Sequence, residues 1–243
     1  MISDDLTVDE QTITGERFEY RARVVVDTSG DADSPREWCS NVARLCLSHR
    51  RYDLPWEDDT AGERVQEAMD RGGLRLAARY LSVVHDAVVL PVWGYEHGAI
   101  TFSAGQRTGA YRDVWDSGLA GLAYITRDVA RAELRTPGEG ETLDDVAEQA
   151  ITGEVETYAA WSRGEVYGWI VERRPLDEYG DADELAMWED LDSVWGYVGE
   201  TEYPMSEAVS TAESYRREDD QEAATDQAET DDAQRTELGS VLA

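Results

Sequence analysis

The sequence predicts an α+β fold in which an antiparallel or mixed sheet carries helices packed on one face. Strand and helix patterns follow one another in the order β-α-α-β-β-β-α-β-β, which favours a layered domain built from both element types. Tight turns between the central strand patterns favour antiparallel pairing there. Hydrophobic residues make up 41% of the 243 residues, with 8 Trp and 12 Tyr, which is enough apolar surface to build a core.

The chain opens with a predicted strand and a predicted helix. Residues 17–27 are aromatic and β-branched with partial alternation, which indicates a strand. A helix is predicted from Pro35 at its first position, with Ser34 as N-cap and Glu37 reaching back as in a capping box. The apolar face of this helix comprises Trp38, Val42, Leu45, Cys46 and, at its end, His49.

A second helix opens at residues 60–63, and Gly72-Gly73 breaks it before it resumes over residues 74–81. Cys39 and Cys46 lie seven residues apart on the first predicted helix. That spacing is about 10 Å along a helix axis, too far for a disulfide. We interpret both as core thiols, and no CxxC or HxxxH spacing accompanies them to suggest a metal site.

The middle of the chain is predicted to form three strands. Residues 87–93 and 99–103 form a hairpin around residues 94–98. Pro91 lacks a backbone N–H, which favours an edge position for the first of these strands. A third strand is predicted over residues 119–126.

The second half of the chain is predicted to hold a long helix and two strands. Thr142 caps the helix, which covers roughly residues 143–163. Strands follow at residues 166–171 and 193–198, with a helical insertion over residues 181–190 between them. The apolar face of the long helix comprises Leu143, Ala147, Ile151, Val155 and Tyr158.

These elements give three segments. Residues 1–16 are a flexible N-terminus, residues 17–203 a single α+β domain, and residues 204–243 an acidic, partly helical and largely disordered tail. Beyond Pro204 the tail has 11 acidic residues and 3 arginines. The sequence shows neither a run of about 18 apolar residues nor a secretory signal, so we expect a cytoplasmic protein without a membrane span.

The charge is the most unusual property of the chain. Its 53 acidic residues outnumber 22 basic ones to give a net charge of −31, and all 22 are arginine. A folded body of this mass would expose roughly 11,000 Å², or about one negative charge per 350 Å². Such a surface repels itself at ordinary ionic strength, whereas near molar salt the screening length falls to about 3 Å. We therefore predict a salt-loaded, haloarchaeal cytoplasm.

Composition and motifs exclude several chemistries. Direct nucleic-acid binding is disfavoured because it requires a basic stripe, and Arg44, Arg50 and Arg51 make only a small cluster. No GxSxG, GxGxxG or P-loop pattern occurs, and a chain without lysine lacks the P-loop ammonium. We expect no cofactor.

Glu154 is the most informative candidate residue. Helical projection places it between Leu143 and Ala147, on the apolar face, whereas Glu156 points to the far side. A carboxylate on such a face must be paired, hydrogen-bonded or protonated. Glu154 is therefore either a functional acid or a structural acid paired with an arginine of a strand or with a Tyr or Trp donor.

The other candidates are two histidines and an aspartate. His49 is either a general base or metal ligand, or a histidine of the core or of the helix end. His97, which lies beside Glu96, is either a general base or metal ligand, or a surface turn residue. Asp116, with Ser117, precedes a strand and either contributes to a site or satisfies local backbone amides. The type of metal, if any, is left open.

Seven blocks of the chain carry a resemblance to a known family. They are residues 35–38, 49–52, 90–102, 115–118, 153–158, 164–168 and 192–197, which read PREW, HRRY, LPVWGYEHGAITF, WDSG, GEVETY, GEVYG and DSVWGY. In order and spacing they resemble an uncharacterised family associated with phages, plasmids and integrative elements. This chain has Cys39-Ser40 where the family carries an aspartate-asparagine pair, and Glu96 where an aspartate is expected.

The resemblance implies no established activity, but Glu154, His49, His97 and Asp116 lie inside its blocks. We expect an accessory protein of a haloarchaeal virus, provirus or plasmid that binds a host or element-encoded protein, because Trp and Tyr are abundant and favour interfaces. The alternative is a small hydrolytic enzyme in which the four candidates converge. Two further readings are DNA mimicry and a structural role in a virus particle, and the oligomeric state is left open.

Overall fold

The computed structural model describes residues 6–49, 51–52, 54–55, 60–113, 115–177, 179–183 and 185–241. The chain forms two compact units. The central unit is Asp33–Glu165, and the terminal unit combines Met1–Ala32 with Val166–Ala243. The sequence grouped residues 17–203 as one domain, whereas here both ends of the chain build a unit of their own.

Eight strands and four helices occur in the described residues. The strands are β1 (Thr7–Thr14), β2 (Phe18–Val26), β3 (Arg44–Leu47), β4 (Ala87–His97), β5 (Ala99–Ala104), β6 (Ser117–Thr126), β7 (Val166–Pro175) and β8 (Glu189–Val198). The helices are α1 (Thr60–Val84), α2 (Arg127–Glu133), α3 (Leu143–Ser162) and α4 (Glu202–Val241). The strands form two four-stranded antiparallel sheets, which confirms the predicted α+β class.

The terminal unit is a sheet in the order β1-β2-β7-β8 with α4 on one face. Residues 7–14, expected to be flexible, form β1. The prediction of a largely disordered tail is wrong for the first half of α4, because its small and apolar residues recur at helical spacing and bury against the sheet. The buried residues of this core are Tyr20, Ala22, Val24, Trp169, Val171, Met205, Ala208 and Ala212.

Acidic residues of α4 also hold the helix on the sheet. Asp219 accepts a 2.5 Å hydrogen bond from the Tyr20 hydroxyl and contacts Arg173 Nη1 at 2.9 and 2.7 Å. Asp220 Oδ1 accepts from the Glu16 backbone N–H at 2.7 Å. Burial, and then the hydrogen bond to Asp219, raises the pKa of the Tyr20 hydroxyl above its usual value. Part of the tail acidity therefore serves packing.

The central unit is a sheet in the order β3-β6-β4-β5 with helices on both faces. Successive residues of a strand point to opposite faces. Leu45 and Leu47 therefore pack in the core that contains α3, whereas Cys46 packs in the core that contains α1. The α3 prediction is confirmed, with the Thr142 capping box and with Ile151, Val155 and Tyr158 buried.

The helix predicted from Pro35 to His49 is wrong. Ser34 does cap, and Pro35 does begin, a helical turn, but this 3-10 turn ends at Glu37. The chain then reaches β3, whose residues pair with β6. The residues of β3 pair with a strand about 75 residues away, and this pairing overrides the local helical pattern. The sequence around β3 does not report such a long-range contact. Cys39 is exposed, so the core-thiol interpretation is correct for Cys46 alone.

Two local predictions near loops have different outcomes. Gly73, with φ of 69°, interrupts α1 as predicted. Pro91 lies in β4, which is central rather than at an edge. The Pro91 carbonyl accepts from the Gly105 N–H, just beyond the end of β5. The N–H and C=O of a strand residue point to the same neighbouring strand, so the position where Pro91 lacks an N–H faces the end of β5.

The helical insertion predicted over residues 181–190 is also wrong. The described residues there form turns and an isolated bridge between Leu176 and Ala182, and β8 begins at Glu189. Asp183 Oδ1 accepts from the Leu185 N–H, a local bond that competes with helix formation. Among the described residues, no helix has the length and apolar character needed to cross a membrane.

Candidate functional site

Glu154 on α3 anchors the irregular segment that leads into β3. Its Oε1 accepts from the Val42 N–H at 2.8 Å, and both of its oxygens lie 3.1 Å from the Ala43 N. Arg36 Nη1 donates to Oε2 at 3.1 Å, and Arg36 Nη2 donates to the Ala43 carbonyl at 2.5 Å. The Glu154 side chain is 13% exposed. Its contacts are those of a structural acid paired with an arginine, which lies in a turn rather than on a strand.

A loop between β5 and β6 is held by Arg107. The guanidinium lies 5.3 Å from the centre of the Trp93 ring, donates to the Ser117 hydroxyl at 2.7 Å and to the Asp113 carbonyl at 2.9 Å, and also bonds the Tyr111 carbonyl. Trp93 Nε1 donates to the Gly105 carbonyl at 2.8 Å. These bonds connect the described residues at both ends of the loop to the sheet.

The end of this loop presents Trp115 and Asp116. Asp113 Oδ1 accepts from the backbone N–H of Trp115 at 2.7 Å and of Asp116 at 3.3 Å. The Ser117 hydroxyl donates to the Tyr111 carbonyl at 2.7 Å. The role of satisfying local backbone amides, which the sequence assigned to Asp116 or Ser117, is therefore performed by Asp113, whereas Ser117 binds a carbonyl. Trp115 itself is 91% exposed.

A cleft of about 240 Å³ opens beside this loop, and we call it the Trp115 cleft. It brings together residues from the segment after β3, from β4 and from the loop that enters β6. Two of the predicted site residues, His49 and Asp116, line it. The lining residues are His49, Gly94, Glu96, Ile100, Trp115, Asp116, Ser117, Gly118, Leu119 and Ala120.

Glu96 is the charged centre on one side of the cleft. Its Oε1 lies 2.9 Å from Arg51 Nη1 and its Oε2 lies 3.6 Å from His49 Nε2. His49 Nδ1 accepts from the Arg51 backbone N–H at 3.3 Å, which assigns the ring proton of a neutral His49 to Nε2, on the side of Glu96. The 3.6 Å separation exceeds hydrogen-bond distance.

His97 and Asp116 form a second, more exposed pair. His97 Nδ1 lies 3.8 Å from Asp116 Oδ2, and its ring stacks on Tyr95 with centroids 6.1 Å apart. Both side chains reach solvent. The four predicted residues therefore do not form one group. His49 and Asp116 line the cleft, and His97 lies beside Asp116. Glu154 instead contacts the segment before β3.

Sequence reasoning missed Glu96 and Trp115 as site residues. Both lie in the blocks that carry the resemblance, and Glu96 was noted only as the neighbour of His97 and as a departure from the family pattern. Alternation along β4 places Glu96 on the face of the sheet opposite to that of Tyr95 and His97, and this signal could have marked Glu96 as a site residue. Within the part of the chain that the structure describes, no group of three or more His, Cys, Asp or Glu side chains is placed to hold a metal ion.

A second cavity of about 300 Å³ lies in the same unit, and we call it the aromatic pocket. Phe102, Tyr158 and Trp161 form a stacked row along it, with centroids 5.5 and 5.8 Å apart. Ser162 donates to the carbonyls of Ile100 and Ala159. The lining residues are Tyr52, Leu54, Gly98, Ala99, Ile100, Phe102, Tyr158, Trp161 and Ser162.

Comparison with known proteins supplies no template for these cavities. No protein-family model, curated protein or solved structure matches the chain. The resemblance to a mobile-element family therefore stays a prediction.

Proposed function

We propose that this protein is a protein-binding module that uses the Trp115 cleft. The observation that carries the proposal is the 91% exposure of Trp115 on a loop that Arg107 and Asp113 hold in place. Loops that display a large aromatic side chain in a fixed conformation lose little entropy when a partner covers it. Tryptophan is also among the residues most enriched at energetic hot spots of interfaces.

The free energy available from covering Trp115 is substantial. A tryptophan side chain buries about 200 Å², which at about 25 cal/mol per Å² corresponds to roughly 4–5 kcal/mol before the costs of association. A single anchor of this size is typical of an interface whose affinity is concentrated in a few residues. The cleft beside it supplies the polar groups that fix orientation.

The charge of the cleft favours a basic partner. Glu96 and Asp116 line it, and near molar salt, where the screening length is about 3 Å, only charges at contact distance such as these act on a partner. Phosphate groups of a nucleic acid would be repelled by this surface, whereas arginine-bearing protein surfaces would be attracted. The partner is therefore a protein with a basic contact face.

The biological setting belongs to the same proposal. The absence of lysine and the dense negative charge support a haloarchaeal cytoplasm. The seven sequence blocks support a virus, provirus or plasmid as the source. We propose an accessory protein of such an element that binds a host protein or one encoded by the element.

A capture experiment with matched variants tests the proposal. Tagged full-length protein is incubated with haloarchaeal lysate in multimolar KCl, and co-eluting proteins are identified by mass spectrometry. We expect one stoichiometric partner that W115A loses and Y179A retains, because Tyr179 is an aromatic of the terminal unit that is 81% exposed. Equal capture by wild type and W115A would contradict the role of the cleft.

A hydrolytic enzyme is the second candidate, favoured by two His–carboxylate pairs around one cleft. Ser117 donates its hydroxyl proton to a carbonyl, so this reading uses His49 or Asp116 to activate water rather than a serine nucleophile. A panel of chromogenic esters, phosphates and glycosides tests it. Turnover that H49A abolishes and H85A retains would support the enzyme, and no turnover above H49A would exclude it for these substrates.

A further inference from the structure

The Trp115 cleft and the aromatic pocket are neighbours that share one wall. His49 lines the cleft and Tyr52 lines the pocket, and their rings lie 5.1 Å apart. Ile100 lines both cavities. The Tyr52 hydroxyl lies 3.5 Å from Glu96 Oε1, which connects the wall to the acidic side of the cleft. The two cavities are therefore adjacent and are separated by the His49–Tyr52 wall.

The two parts differ in chemistry. The cleft combines the Trp115 indole with the carboxylates of Glu96 and Asp116. The pocket is lined mainly by apolar and aromatic side chains, and the Ser162 hydroxyl within it is already bonded to two carbonyls. One part is suited to a cation and the other to an apolar side chain.

We propose that the two cavities together bind one extended segment of the partner, with an arginine in the Trp115 cleft and a large apolar side chain in the aromatic pocket. This proposal rests on the proposed function and adds the chemistry of the bound segment. Side chains two positions apart on an extended chain lie on the same side, about 6.5–7 Å apart. The His49 and Tyr52 rings between the cavities are 5.1 Å apart, so we expect the two side chains on the same side of the segment and at least two positions apart.

Arginine suits the cleft because a guanidinium can stack on an indole and bind a carboxylate with its fork of donors. Asp116 is the principal partner, since Glu96 already holds Arg51 at 2.9 Å. The terminal unit uses the same chemistry internally, where Arg21 and Arg174 lie 4.3 and 4.5 Å from the centre of the Trp188 ring.

The apolar requirement of the pocket follows from its lining. A polar group placed against Leu54, Ile100 and Phe102, whose side chains have no hydrogen-bonding groups, would lose water without a matching hydrogen bond. Leucine, methionine or phenylalanine would instead extend the aromatic row. Ala99 is exposed at the pocket, so a bulky side chain there would fill the pocket without entering the core.

Selection from a random peptide library tests the motif with the full-length protein in multimolar KCl. Wild type, W115A, D116N and A99W are compared, with A132W on an exposed position of α2 as the bulky-residue control. We expect wild type and A132W to enrich arginine together with an apolar residue an even number of positions away. D116N should lose the arginine preference alone, and A99W the apolar preference alone.

Synthetic peptides then give the size of each effect. Replacing the selected arginine by glutamine is expected to weaken binding by about tenfold, consistent with one lost charge-assisted contact. Peptides that depend on Trp115 but lack the paired preference would overturn this inference and leave the proposed function standing. If wild type enriches no peptides over W115A, the inference is overturned together with the proposed function, because both require Trp115 to bind the partner.

Discussion

The contacts of Glu154 predict a large loss of stability when its carboxylate is removed. The change E154A deletes the acceptor for the N–H groups of Val42 and Ala43 and the partner of the Arg36 guanidinium. Arg36, 15% exposed, would keep its charge without this partner. The expected effect is on protein stability, because these contacts fix the segment that leads into β3.

The magnitude follows from the number and type of contacts. A hydrogen bond to a charged group contributes about 1.5–3 kcal/mol, and removing one partner of a buried ion pair costs about 3–5 kcal/mol. Solvent access to both side chains reduces these figures, so we expect E154A to lower the free energy of unfolding by about 3 kcal/mol. For a chain of this size that corresponds to a fall in Tm of about 6–12 °C.

Urea unfolding followed by circular dichroism in multimolar KCl measures this change. The matched control is E156A, an exposed glutamate on the same helix, which should change the free energy of unfolding by less than about 0.5 kcal/mol. A double-mutant cycle with R36A should give a coupling energy of about 1–2 kcal/mol. Equal effects of E154A and E156A would refute the structural role of Glu154.

Three further predictions concern the loop, pH and salt. R107A should abolish capture of the partner while lowering the free energy of unfolding by only about 1–2 kcal/mol, because the guanidinium fixes the loop that presents Trp115; capture equal to wild type would contradict this. The Arg135 guanidinium, with the Gly138 N–H, lowers the pKa of Glu141 from 4.5 to about 2. The ionised Glu141 carboxylate therefore stabilises the fold above about pH 4.5, and this stabilisation is lost as the pH falls toward 2. The decrease in urea midpoint between pH 4.5 and pH 2 should be smaller in R135A than in wild type, because R135A lacks the guanidinium that lowers the pKa of Glu141. Lowering KCl from multimolar to about 0.1 M should reduce the urea midpoint as screening weakens, and an unchanged midpoint would contradict the salt interpretation.

The parts of the fold that the sequence predicted are those specified locally. Thr142 with Asp145 marks the start of α3 through a capping box, and Ile151 and Val155 continue its apolar face. The hairpin of β4 and β5 follows from two short apolar runs around a glycine-containing turn, although residues 94–97, predicted as part of the turn, continue β4 and pair with β5. In each case the residues that decide the structure lie within a few positions of one another.

The parts that failed depend on distant partners. Leu45, Cys46 and Leu47 fit either a helix or a short strand, and only their pairing with β6 decides between them. The tail forms a packed helix because Met205 and Ala208 meet β2 and β7, which the acidic composition conceals.

The candidate site was predicted in part for the same reason. His49 reaches the Trp115 cleft, but it does so after β3 rather than at the end of a helix. The sequence showed that the Glu154 carboxylate needs a partner, but only the structure shows that this partner is Arg36. The exposure of Trp115 depends on the bonds of Arg107 across its loop, and no periodicity in the sequence reports it.

Fluorine NMR of protein labelled with 5-fluorotryptophan tests the central claim most directly. The chain has 8 tryptophans, and comparison with W115F assigns the resonance of Trp115. Addition of the captured partner in multimolar KCl should shift or broaden this resonance because the partner covers the exposed indole. A partner that binds while the Trp115 resonance stays unchanged would contradict the account.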